Sequence, residues 1–128
     1  MNTDTKKQSV LIAEDDEQFR ILLRRFLESS YDVILTGDGE EALAVAREKQ
    51  PAVILTDVLM PKKSGVELLR DLRADESTKN IPVVILLATA FPSDISAAES
   101  LHADGILPKE QINRQNLLEM VAKLAAGK

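Results

Sequence analysis

The chain has 128 residues, 45% hydrophobic and 29% charged, a size and balance that suit one soluble domain with one core. It contains no cysteine, which excludes disulfides and thiolate metal sites, and its net charge of -5 argues against direct nucleic-acid binding, which needs a basic patch. No apolar run approaches the roughly 20 residues of a membrane span, and the polar residues 1–8 read as a disordered lead-in without the apolar core of a signal peptide.

Strand and helix signals then alternate five times, the pattern of a parallel sheet covered by helices on both faces. The first strand, about Ser9 to Ala13, is almost continuously apolar, as a strand buried on both faces should be. A helix over about Glu17 to Ser29 follows, with Phe19, Leu22, Leu23, Phe26 and Leu27 forming its apolar stripe. Asp32 to Leu35 is the second strand, Thr36 to Gly39 a turn, and Glu40 to Lys49 the second helix, burying Ala42, Leu43 and Ala46. Pro51 leads into the third strand, Ala52 to Thr56. A long loop, Val58 to Ser64, separates Asp57 from a third helix over Gly65 to Ala74, with Val66, Leu69 and Leu72 facing inward.

After the polar stretch Asp75 to Asn80, Pro82 opens the fourth strand, Val83 to Leu87. The fourth helix is expected over Ser93 to His102, the short fifth strand over Gly105 to Leu107, and the fifth helix over Asn113 to Ala126 with Asn113 as its N-cap. Its stripe is Leu117, Leu118, Val121 and Leu124. No internal repeat or linker divides residues 9–128, which read as one domain, and no effector domain is expected after the fifth helix.

Three charged stations stand where buried strands end: Glu14-Asp15 after the first, Asp57 after the third and Lys109 after the fifth. In an open α/β sheet the carboxyl ends of parallel strands converge on one crevice, where ligands bind. Carboxylates and an ammonium gathered there make a site for a hard cation and a phosphoryl group. The neighbouring Asp16 is expected to cap the first helix rather than join the site.

The local sequences resemble a known family. Leu11-Ile12-Ala13-Glu14-Asp15-Asp16-Glu17 looks like the acidic turn of two-component response-regulator receiver domains. Val53 to Pro61 followed by Gly65 resembles the family's phosphoacceptor segment, with the aspartate-to-Met-Pro and aspartate-to-Gly spacings intact. Gly37 to Leu43 is similar to the family's usual start of the second helix, and the likeness runs from about Val10 to Leu124. The resemblance implies an α/β, flavodoxin-like, doubly wound (βα)5 fold with a five-stranded parallel sheet of order 2-1-3-4-5. It implies Asp57 as phosphoacceptor, and Mg²⁺, with Mn²⁺ as a substitute, held by Glu14, Asp15, Asp57 and the Leu59 backbone carbonyl. Lys109 would pair with phosphoryl oxygens. The implied partners are a histidine kinase or phosphotransfer protein and a downstream protein, in the cytoplasm. On this reading the chain is a signalling domain and not an enzyme.

Three positions depart from the family pattern. The switch hydroxyl expected at the end of the fourth strand falls on Leu87 by gapless counting; Thr89, two residues later on the same strand face, is the expected switch residue. Ile106 replaces the usual aromatic residue, so an aromatic-rotamer switch is unavailable. Glu110 rather than proline follows Lys109, so that bond is expected to be trans, and either a displaced lysine or a reshaped loop into the fifth helix would follow. These departures motivate an alternative, a degenerate receiver acting as a phosphorylation-independent interaction module. The apolar Leu59 cannot orient a hydrolytic water, so a long-lived phosphate is expected. An aspartate-dependent phosphatase or a flavin binder fits less well, because no second catalytic acid follows Asp57 and no glycine-rich loop follows the first strand.

Overall fold

Alternation along the strands decides which helix lies on which face. The computed structural model of the chain describes residues 7–88 and 92–127. Five parallel strands, β1 (Ser9–Ala13), β2 (Asp32–Thr36), β3 (Val53–Asp57), β4 (Val83–Leu87) and β5 (Gly105–Pro108), form one sheet in the order β2-β1-β3-β4-β5. Helices α1 (Glu17–Leu27), α2 (Gly39–Lys49), α3 (Gly65–Ala74), α4 (Pro92–Ser100) and α5 (Arg114–Ala126) cover it. Successive side chains point to opposite faces. Val10, Ile12, Val53, Leu55, Val84 and Leu86 therefore pack with Leu23 and Leu27 of α1 and Leu117 and Val121 of α5. Leu11, Ala13, Ile54, Ile85 and Leu87 pack on the other face with Ala42 and Ala46 of α2, Leu68, Leu69 and Leu72 of α3, and Ala98 of α4. The doubly wound (βα)5 expectation and its strand order are both observed.

The helices start where their caps stand. Asp16 accepts from the Gln18 and Phe19 amides at 3.0 and 3.4 Å, as expected of it. Asp38 accepts from Glu41 N at 2.8 Å, Ser64 and Glu67 form a reciprocal capping box on α3, and Asn113 caps α5. These helices begin just beyond strand ends, so their first turns ring the carboxyl edge of the sheet.

Three expectations shift. Leu22 is exposed rather than buried, because it lies at the margin of the α1 stripe that Leu23 and Leu27 carry inward. On α3, Leu68 is fully buried alongside Leu69 and Leu72, while Val66 is only partly buried. The fourth helix stops at Ser100, not His102. His102 takes a left-handed conformation (φ 63), its amide donates to Glu99 O and the Ala103 amide donates to Ala98 O, a Schellman ending that here has no glycine to announce it. Arg73 of α3 holds this turn: Nη2 donates to His102 O and to Asp104 Oδ2, both at 2.9 Å, and Asp104 Oδ2 also accepts from Val83 N.

Candidate functional site

Strand register brings the three charged stations together. Ala13 pairs with Thr56, so Glu14 and Asp57 follow side by side. Asp57 pairs with Leu86 and Leu87 with Pro108, so Lys109 emerges at the same edge. Glu14 is fully buried and Asp57 nearly so, whereas Asp15 is exposed. One carboxylate oxygen from each of Glu14, Asp15 and Asp57 lies within 4.8 Å of the other two.

Each group is held by its own backbone surroundings. Glu14 N donates to Thr36 O at 3.1 Å, and Glu14 Oε2 accepts from Asp16 N at 3.1 Å. Arg20 Nη1 donates to Glu14 O at 3.0 Å, a support that sequence reasoning missed because a charged helical residue carries no motif. Asp57 Oδ1 accepts from Val58 N at 2.7 Å. The loop after Asp57 is pulled back onto the start of α3, where Gly65 N donates to Val58 O at 2.7 Å. A Cβ at Gly65 would be driven into the Asp57 carbonyl oxygen and would stand 3.0 Å from Val58 Cα, so only glycine lets α3 start this close.

Lys109 closes the site. Its Nζ donates to Asp57 Oδ2 at 3.0 Å and stands 2.8 Å from Glu14 Oε1, an ion-pair contact without hydrogen-bond alignment. Glu14 Oε1 is thus a buried carboxylate oxygen partnered by the Lys109 ammonium. The described residues contain no cis peptide bond, so Lys109–Glu110 is trans as expected, yet the lysine is not displaced. It begins a 3-10 turn, Lys109–Gln111. Burial pushes the Glu14 carboxyl above its ordinary value, only partly offset by the Lys109 ammonium and the Asp16 amide. Burial pulls the Lys109 ammonium down, but Glu14 and Asp57 together outweigh it and raise its pKa.

Of the remaining expected residues, Leu59 projects from the loop with 70% of its surface exposed. Met60 packs partly buried against the core on the α3 side. Leu87 is buried in the core at the end of β4 and offers no hydroxyl there. Thr89 lies outside the described residues. Phe19, which its spacing marks as a core residue, also puts its ring 4.9 Å from Lys109 Nζ.

Chemically, three clustered carboxylates, two of them buried, fit a hard, oxygen-loving divalent cation such as Mg²⁺. The adjacent ammonium fits a phosphoryl-type anion. Among the described residues no helix is long and apolar enough to cross a membrane.

The sequence model of the response regulator receiver domain matches residues 10–122. The polar-differentiation response regulator DivK of Brucella ovis is 42% identical over 88 residues, covering 68% of this chain and 72% of DivK. Histidine kinase P4 of Formosa agariphila is 34% identical over 97% of this chain, which spans only 10% of that kinase's length. Among solved structures, the receiver domain of sensor histidine kinase PA1611 from Pseudomonas aeruginosa PAO1, with a magnesium ion coordinated in its active-site cleft, superposes with a TM-score of 0.86 at 25% identity, over 94% of this chain and 98% of that one.

Proposed function

The chain belongs to the response regulator receiver domain family of two-component signalling, and from that premise we propose that it accepts a phosphoryl group on Asp57 from the phosphohistidine of a histidine kinase or phosphotransfer protein. The observation that carries this reading is the convergence of Glu14, Asp15, Asp57 and Lys109 on one edge, with Lys109 Nζ 3.0 Å from the Asp57 carboxylate. A carboxylate oxygen of Asp57 attacks phosphorus, the P–N bond breaks, and its electron pair returns to the imidazole, which is then free to take up a proton. The aspartyl-phosphate is a covalent acyl phosphate of known type.

The carboxylates of Glu14, Asp15 and Asp57 and the Leu59 carbonyl would hold Mg²⁺, with Mn²⁺ as a substitute. A bound cation supplies charge neutralisation for the phosphoryl oxygens, the main demand of phosphoryl transfer. Glu14 acts through the outer shell, as its longer side chain suits. Lys109 pairs with phosphoryl oxygens as they arrive, and Thr89 supplies the hydroxyl that reads the phosphorylated state. Residues 9–128 form the receiver unit, and phosphorylation shifts it between two conformations with different affinity for a downstream protein, in the cytoplasm.

The degenerate-module reading rests on Leu87, Ile106 and Glu110, and the reach of Lys109 into the site weighs against it. A Mg²⁺ titration followed by calorimetry separates the two. Saturable one-site binding, lost in Asp15→Asn, is the expected result. Absence of binding would favour the interaction module.

A further inference from the structure

Lys109 is gripped from three sides. Glu14 and Asp57 provide two carboxylates, and the third contact is the face of the Phe19 ring, 4.9 Å from Nζ to centroid, inside the range of a cation–π interaction. The ring is placed there by the start of α1: Phe19 is the third residue of that helix, and its amide donates to the capping carboxylate of Asp16. Only 18% of the Lys109 side chain is exposed, so the contact is largely shielded from water.

The three contacts differ in what the reaction does to them. Phosphorylation converts the Asp57 carboxylate into an acyl phosphate, so that ion-pair partner is exchanged for phosphoryl oxygens. Glu14 belongs to the group of carboxylates that a divalent cation would neutralise, so the second weakens when the site is loaded. The ring quadrupole of Phe19 carries no net charge and is altered by neither event. We infer that Phe19 is a positioning residue, a neutral seat that keeps the Lys109 ammonium beside Asp57 while the charges around it change. This rests on the reading of Asp57 as phosphoacceptor.

The test compares Phe19→Leu and Phe19→Met, which keep apolar bulk without a ring, with Phe19→Tyr, which restores the ring. Two readouts are taken on the full chain. The first is the proton chemical shift of the Lys109 ε-methylene in the free protein, where a ring face nearby imposes an upfield shift. The upfield shift is expected in wild type and Phe19→Tyr, and its loss in the Leu and Met variants. The second is the rate of adduct formation with a small acyl phosphate in Mg²⁺. The Leu and Met variants are expected to be roughly 2- to 30-fold slower, the range that a cation–π contact spans when expressed as a rate, with Phe19→Tyr near wild type. Wild-type rates in the Leu variant, or a Tyr variant as slow as Leu, would overturn the inference. If the wild type itself forms no adduct, the phosphoacceptor reading fails instead, while the chemical shift still decides whether the seat exists: an unshifted wild-type methylene would overturn it.

Discussion

Gly65 lies directly against the main chain of Asp57: its amide donates to Val58 O at 2.7 Å, and a Cβ there would meet the Asp57 carbonyl carbon at 2.9 Å. The start of α3 thereby braces the acidic residue at the end of β3. Gly65→Ala is expected to push the loop away, at a cost of about 1–3 kcal/mol for overpacking, and to weaken Mg²⁺ binding in parallel. Denaturant unfolding and a cation titration of the same variant check both effects. Unchanged cation affinity would show that the brace does not shape the site.

Lys109 serves as the internal counter-charge of Glu14 and Asp57. In cation-free buffer, Lys109→Met should destabilise the chain by about 3 kcal/mol, the lower end of the loss on removing one partner of a buried pair. Mg²⁺ should stabilise this variant more than wild type, because no ammonium then competes for the carboxylates. Urea midpoints with and without Mg²⁺ measure both, and equal midpoints for the two cation-free proteins would contradict the role.

Glu14 gives a pH dependence of definite sign. Burial holds its folded-state pKa above the ordinary 4.5. Between 4.5 and that raised value the folded chain binds more protons than the unfolded one, so this group favours folding more as pH falls through the window and less as pH rises toward neutrality. Without divalent cation, the stability of wild type relative to Glu14→Gln should therefore increase as pH falls from neutral toward 4.5. A pH-independent difference would count against a buried carboxyl with a raised pKa.

The exposed Leu59 stands two residues after Asp57 and offers no polar atom from its side chain to a hydrolytic water. Leu59→Asn and Leu59→Glu are expected to shorten the lifetime of the aspartyl-phosphate. The decay of the phosphorylated mass after donor removal checks this, and equal half-lives would contradict it.

How far the residues alone reveal this arrangement depends on the kind of signal. The apolar runs of β1, β3 and β5 and the charged positions that end them are local, so the sheet and the stations Glu14, Asp57 and Lys109 are readable directly. The end of α4 is not, because His102 rather than glycine takes the left-handed position and the holding contact comes from the distant Arg73. That Lys109 keeps its station with Glu110 behind it is not readable either. Glu110 in place of proline argues for displacement, but the contacts that retain the lysine come from β1, β3 and Phe19 of α1. Phe19 shows why spacing misleads: its position in the α1 stripe marks a packing residue, and spacing says nothing about which cation its ring faces.

The most direct test of the central claim is the intact mass of the chain after incubation with a small-molecule phosphodonor, with and without Mg²⁺, beside Asp57→Asn. A single phosphoryl adduct that requires Mg²⁺ and is missing from Asp57→Asn is the predicted result. An adduct that persists in Asp57→Asn, or no adduct in wild type with Mg²⁺ present, would contradict the assignment of Asp57 as phosphoacceptor.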